Sequence, residues 1–370
     1  MNASNRILVR GVNWLGDAIM TTPALHRLRE RFPQAHITLL TPEKLADLWP
    51  GHPAINRVLT FGANESVWQI AGRLRAEQFD LALALPNSPR SAMELWLAGI
   101  PQRVGYGDGG RRWLLTDVVE HRPGVARMEK RSESEIKRLI SGAAAKAAPI
   151  PASAHHVHHY LHLVSSLGAE AQPVAPHLAV SDDELSAVRA KFNLPADVPL
   201  FGLNAGAEYG PAKRWPRERF VAAASEICQR APCRWIVLGG KADVELASGI
   251  ATQIQYAVKR QTGGDPIINL AGKTTLRELC AVLKACRVLL TNDTGPMHVA
   301  AAVGTPVVVP FGSTSPELTG PGLPGDARHR FLQSAAPCAP CFLRECPIDF
   351  RCMNGISVET VVEAVVEAGG

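Results

Sequence analysis

Two loops hold residue types that could do chemistry, and their spacing decides which chemistry. In 10-RGVNWLGDAIMTTPAL-25, just after the apolar run 7-ILV-9, Gly11 and Gly16 are separated by four residues, as in a P-loop. The next two positions are Asp17 and Ala18, where a P-loop needs Lys for the terminal phosphates and Ser or Thr for magnesium. A nucleotide-hydrolysing P-loop is therefore disfavoured, and the glycine spacing does not fit a dinucleotide fingerprint either. A carboxylate at a strand-to-helix turn can accept a proton from a substrate hydroxyl. It can equally cap the helix that runs on through Thr22 and Leu25.

The second loop, 291-TNDTGPMHVAAAVGTPVVVPFG-312, passes from strand-like residues through Asp293, Thr294 and Gly295 into a helix that Pro296 suits in its first turn. Free backbone N–H groups and a glycine make such a start an anion site fit for a diphosphate, although Asp and Thr would also serve as plain caps. A third stretch, 204-NAGAEYGPAKRWPRERF-220, sets Lys213, Arg214 and Trp215 in a glycine-bearing loop, so a fixed cation could join the same site. A fourth, 85-LPNSPRSAMELWLAGIPQRVGYGDGGRRWLL-115, gathers Asn87, Ser88, Arg90, Arg103, Arg111 and Arg112 among apolar and aromatic residues. It reads either as a receptor for a large anionic amphiphile or as surface arginine.

Two metal-like patterns are weaker. Cys338, Cys341, Cys346 and Cys352 have spacings conceivable for zinc or an iron–sulfur cluster but not those of paired zinc knuckles, and free thiols or a clasp remain open. His155, His156, His158, His159 and His162 include i, i+4 pairs without an adjacent acidic or Cys partner, which reads as a polar helix face.

These loops need elements to position them. The 370 residues allow two domains, and 46% hydrophobic with 20% charged residues describes a globular chain. A net charge of +5 is too small to argue for nucleic acid, though it suits an anionic ligand. With no leader and no apolar run of about 18 residues, the reading is a cytoplasmic protein without a transmembrane segment. Apolar runs at 7–9, 36–41 and 80–86 alternate with helical patterns at 22–32 and 66–79, which predicts parallel βαβ units. The alternation restarts with strands at 200–206, 234–240, 287–293 and 306–312 and helices at 217–231 and 275–286. A charged, Ala-rich excursion at 127–154 is expected near the end of the first domain, with a helix at 155–168, a linker at 170–185 and a terminal helix at 357–370. Two doubly wound domains follow, their strands ending at a common cleft.

Five segments together resemble the bacterial lipopolysaccharide heptosyltransferase family: Trp14 to Asp17, Leu85 to Ser88, Ala98 to Pro101, Gly206 to Pro216, and Asn292 to Ala302. The resemblance spans nearly the whole chain, with Pro296 standing where Leu is common. It implies an α/β GT-B fold, with an acceptor domain at 1–175, a nucleotide-sugar domain at 176–355, and a helix at 356–370 that packs back on the first domain. Without metal or cofactor, it implies, a heptose moves with inversion from ADP-heptose to the anionic core of lipid A at the inner membrane face, as the second heptose of the core.

By the same resemblance Asp17 is the base, and Lys213 with Thr294 and Gly295 meets the charge of departing ADP. Donor contacts are implied for Glu208, Tyr209, Asp243 or Glu245, Thr274, Asp293 and His298; acceptor contacts are implied for Asn13, Trp14, Asn87, Ser88, Arg90 and Arg111. The alternatives are a sister transferase using another sugar or an earlier core position, and a non-catalytic nucleotide-sugar-binding protein. Oligomeric state is not legible.

Overall fold

The computed structural model describes residues 5–123, 125–126, 128–143, 150–262 and 266–370. The chain divides into two compact units, Met1–Val125 with His156–Ala179, and Ala126–His155 with Val180–Gly370.

The first unit contains β1 (Arg6–Arg10), α1 (Leu15–Met20), α2 (Thr22–Arg31), β2 (His36–Pro42), β3 (Arg57–Phe61), α3 (Val67–Ala76), β4 (Leu81–Ala84), α4 (Pro89–Leu97), β5 (Gln102–Tyr106) and β6 (Asp117–Val119). The chain then gives α5 (Glu133–Ile140) to the second unit and returns with α6 (Val157–Ser165). All the strands are parallel, in the order β3-β2-β1-β4-β5-β6. The direction of winding reverses between β1 and β4, which opens a crevice at their carboxyl ends.

The second unit adds α7 (Asp182–Phe192), β7 (Leu200–Asn204), α8 (Arg217–Arg230), β8 (Arg234–Val237), α9 (Val244–Thr262), β9 (Ile267–Asn269), α10 (Leu276–Ala285), β10 (Val288–Thr291), α11 (Gly295–Ala302), β11 (Val307–Phe311), α12 (Pro316–Thr319), β12 (Arg330–Gln333), α13 (Arg351–Asn354) and α14 (Val358–Gly369). Its parallel order, β12-β11-β10-β7-β8-β9, is the same winding repeated, with the reversal between β7 and β10. Central strands such as β1, β4, β7 and β10 are buried on both faces, which explains their unbroken apolar runs. Capping boxes from Ser66 to Gln69, Ser181 to Glu184 and Thr275 to Glu278 start α3, α7 and α10.

Three sequence expectations change. The terminal helix packs on the second sheet, not the first: Val361, Val362, Ala364 and Val365 join Phe220 and Leu290 in one core. Gly369 lies so close to Phe201 and Val288 that an added Cβ would sit 2.9 Å and 3.2 Å from their side chains. The excursion also belongs to the second unit, because the α5 side chain Ile136 is buried in that same core. Residue 127 and residues 144–149 of the excursion lie outside the described residues. Finally, the expected linker overlaps α7, which Ser181 caps. Among the described residues no helix is long and apolar enough to cross a membrane.

Candidate active site

In the first unit, Arg10 at the end of β1 pairs in register with Ala84 at the end of β4, so the loops that follow leave the sheet side by side at its reversal point. Gly11 donates its N–H to Leu40 O at 2.8 Å, and a Cβ there would lie 3.1 Å from that oxygen, so the loop starts tight against β2. Asn13 and Trp14 are exposed, with the Lys44 ammonium 5.1 Å from the Trp14 ring. Trp14, in extended conformation, is the N-cap of α1 and makes no side-chain capping bond. Asp17 is therefore not the N-cap. It sits in the first turn, where a negative charge is favoured by the helix dipole.

The charge of Asp17 is felt by residues at the start of α6 and within it. Burial lowers the His156 imidazole from its usual range while Asp17 opposes that shift, and burial with Asp17 and Tyr106 pushes the Tyr160 phenol well above its usual value. The histidine row is thus not an idle polar face. Tyr106 clusters with His121 at 4.5 Å and His159 at 4.1 Å, whose rings are themselves 5.6 Å apart, and donates its hydroxyl to His159 O at 2.7 Å. His155, across the unit boundary in sequence, is buried against Gly320 O at 2.9 Å.

The loop after β4 is braced from below. Arg111 is fully buried; its guanidinium donates to Tyr106 O at 2.7 Å, to Pro86 O, to Ser91 Oγ and to Asn87 Oδ1 at 3.3 Å, and burial brings its pKa down to about 10. Those contacts hold it against Asn87 and the loop after β4, with no exposed surface of its own. Ser88 caps α4 by accepting from Ser91 N, and Arg90 donates to Glu94 Oε1 at 3.1 Å and to Glu65 O.

Sequence reasoning missed the centre of this arrangement, the buried pair of Arg10 and Glu94 at 2.8 Å. Arg10 also donates to Gly11 O and Asn13 Oδ1 and lies 4.3 Å from the Phe61 ring centroid, so it ties the first loop to α4. Arg10→Met leaves a buried carboxylate with Arg90 alone and is expected to cost about 3 kcal/mol of stability. Urea unfolding measures this; a loss near zero would mean that Arg90 balances Glu94 unaided.

In the second unit, Thr291 at the end of β10 pairs with Asn204 at the end of β7, again placing two loops side by side at the reversal point. Asn292 joins them, accepting from Trp215 N at 2.9 Å and donating to Ala205 O at 2.7 Å. The Lys213 ammonium is 2.6 Å from Asp293 Oδ2, which also accepts from Thr314 Oγ1 at 2.5 Å. Asp293 is 4% exposed and Lys213 14%, so the pair is held in a low-dielectric setting.

Thr294 is the extended N-cap of α11 and makes no side-chain capping bond, while Met297 N donates to Thr294 O at 3.1 Å, so the Gly295 N–H is the first-turn donor left without a side-chain cap. Pro296, in the first turn, removes a donor that would otherwise be orphaned. His298 is buried farther along that helix. The Tyr209 ring has the Lys213 ammonium 4.9 Å from its centroid, and Glu208 beside it is exposed. Of the two candidates for the ribose, Asp243 lies against this loop, its carboxylate 2.6 Å from where a Gly206 Cβ would be. Glu245 is exposed in the first turn of α9, and Thr274 is half-buried just before the α10 cap.

Cys338, Cys341 and Cys352 are buried free thiols and Cys346 is half-buried; burial and mutual proximity push Cys352 up to about 12. Among the described residues no group of three His, Cys, Asp or Glu side chains is arranged to hold a metal ion.

Each unit thus carries polar side chains at the reversal point of its sheet: a carboxylate in the first, a paired lysine before an open helix start in the second. The sequence profile of glycosyltransferase family 9 (heptosyltransferase) matches residues 125–350. Lipopolysaccharide heptosyltransferase 2 of Escherichia coli K12 is 31% identical over 324 residues, covering 85% of each chain. The protein of that name in Salmonella typhimurium is 30% identical over the same shares. The solved structure of E. coli ADP-heptose LPS heptosyltransferase II matches with a TM-score of 0.77 at 26% identity, over 98% of both chains.

Proposed function

Because the chain belongs to glycosyltransferase family 9, the heptosyltransferases, we propose that it moves a heptose from ADP-heptose to the lipopolysaccharide inner core, as the second heptose on a heptosyl-Kdo-lipid A acceptor. Its fold is the GT-B fold of these enzymes. The observation that carries the donor half is the Lys213–Asp293 pair set before the open start of α11. The position of transfer rests on the relatives at about 30% identity, which are type 2 enzymes.

In this reading the acceptor hydroxyl attacks the anomeric carbon as the bond to the ADP oxygen breaks, and Asp17 takes the hydroxyl proton. Negative charge grows on the departing diphosphate, where Lys213 and the N–H groups of α11 meet it without reorganising. Asp293 holds the ammonium in place before the ligand arrives. Asn87 and Asn13, each fixed by a buried arginine, offer directional hydrogen bonds to acceptor sugars.

Mass spectrometry after incubation with ADP-heptose tests the position. One heptose should be added to mono-heptosylated Kdo-lipid A and none to the unheptosylated form. Addition only to the latter would assign an earlier core position, and addition to neither, with ADP bound, would remove the proposed acceptor.

A further inference from the structure

The cysteine segment is built into the Lys213 loop. Arg344 O accepts from Ala212 N at 3.0 Å, and Phe342 O accepts from the Tyr209 hydroxyl at 2.7 Å. Gly210 has φ +151° and a Cβ there would lie 2.5 Å from Arg344 O, so the approach is open only to glycine. On its other side the segment is anchored to the sheet, with the N–H groups of Cys341 and Phe342 donating to Ser313 O just beyond β11. Arg131, before α5, donates from its backbone to Cys341 O and from its side chain to Pro340 O.

This framework brings a second cation to the ring that Lys213 faces. The Arg344 guanidinium is 5.2 Å from the Tyr209 centroid, so the two positive groups stand within about 10 Å of each other. Their electrical states differ. Lys213 is neutralised by Asp293, whereas among the described residues nothing hydrogen-bonds or ion-pairs with the Arg344 guanidinium. With Lys213 already paired, a multiply anionic ligand calls for further positive charge, and the Arg344 guanidinium is the unpaired cation beside it. Its planar fork suits two phosphate oxygens at once, which the point charge of Lys213 does not.

The geometry points to Arg344 as a second diphosphate-binding cation of the donor site, delivered by the cysteine segment and pre-stacked on Tyr209. This assignment rests on the nucleotide-sugar reading above and names a residue that the sequence motifs left out. It also gives the segment from Cys338 to Cys346 a part in binding through its backbone grip on residues 209–212.

Calorimetry of ADP on the full-length chain tests it, comparing wild type with Arg344→Ala, Arg344→Gln and Arg344→Lys. Loss of one charge-assisted contact should weaken ADP by about 10- to 100-fold in the Ala and Gln variants, with only part of the affinity recovered in Lys, which restores the charge but not the fork. The KM for ADP-heptose should rise in step, and ADP affinity should depend less steeply on salt than in wild type. A role limited to pinning Tyr209 would alter the thermal midpoint but not the salt dependence, and that result overturns the assignment. So does ADP affinity within twofold of wild type in the Gln variant. A wild-type protein with no affinity for ADP would overturn the nucleotide reading and this one together.

Discussion

Asp17→Asn is expected to lower kcat for heptose transfer by about 10³-fold while leaving ADP affinity unchanged. The substitution keeps the size and hydrogen-bonding reach of the side chain but removes its ability to take a proton, and positioned acid–base groups contribute about 10²- to 10⁴-fold. Binding should survive because the residues proposed to hold the donor lie in the other unit. The rival role, a negative charge favouring the first turn of α1, is worth about 0.3 to 1 kcal/mol of stability and nothing in the chemical step. Rates under saturating donor and acceptor, beside an ADP titration, separate the two. A rate within tenfold of wild type would return Asp17 to the helix.

Lys213→Met should act on rate and stability together. In the proposed reaction the ammonium faces the departing diphosphate, and loss of such a group costs about 10²- to 10³-fold in kcat. It also leaves the buried Asp293 carboxylate with only the Thr314 hydroxyl, a burial penalty of about 3 kcal/mol. Pairing the substitution with Asp293→Asn removes the stranded charge. The double variant should regain most of the lost stability in a urea titration and still transfer slowly. If activity returned along with stability, Lys213 would be only the counter-ion of Asp293.

Elements governed by local rules are legible in the sequence. Strands buried on both faces show as unbroken apolar runs, so β1, β2, β4, β7, β8, β10 and β11 could be placed. The edge strands β3, β6, β9 and β12 face solvent in part and carry no such run, and β5 opens with Gln102 and Arg103. The glycine, proline and aspartate chemistry of the loops at 11–17, 206–216 and 292–298 marked both reversal points before the strand order was known.

Contacts made by topology were not legible. Glu94 meets Arg10 across 84 residues, and Thr314 meets Asp293 only because β10 and β11 are neighbours. Arg111 read as an acceptor contact because sequence does not disclose that a guanidinium is fully enclosed. The terminal helix was assigned to the first domain by resemblance, but its valine stripe matches the core around α8 and β10. His156 and Tyr160 come under the influence of the Asp17 charge only after the chain has left the first unit and come back, a path that no local pattern announces.

The proposed transfer is a single displacement in which one carboxylate takes a proton and no protein nucleophile attacks the sugar. The stereochemistry of the new linkage tests it most directly. The one-bond coupling between carbon and hydrogen at the anomeric centre, read by NMR in the product and in the donor, should report opposite configurations. Retained configuration would contradict the account, because it requires two successive displacements at that carbon.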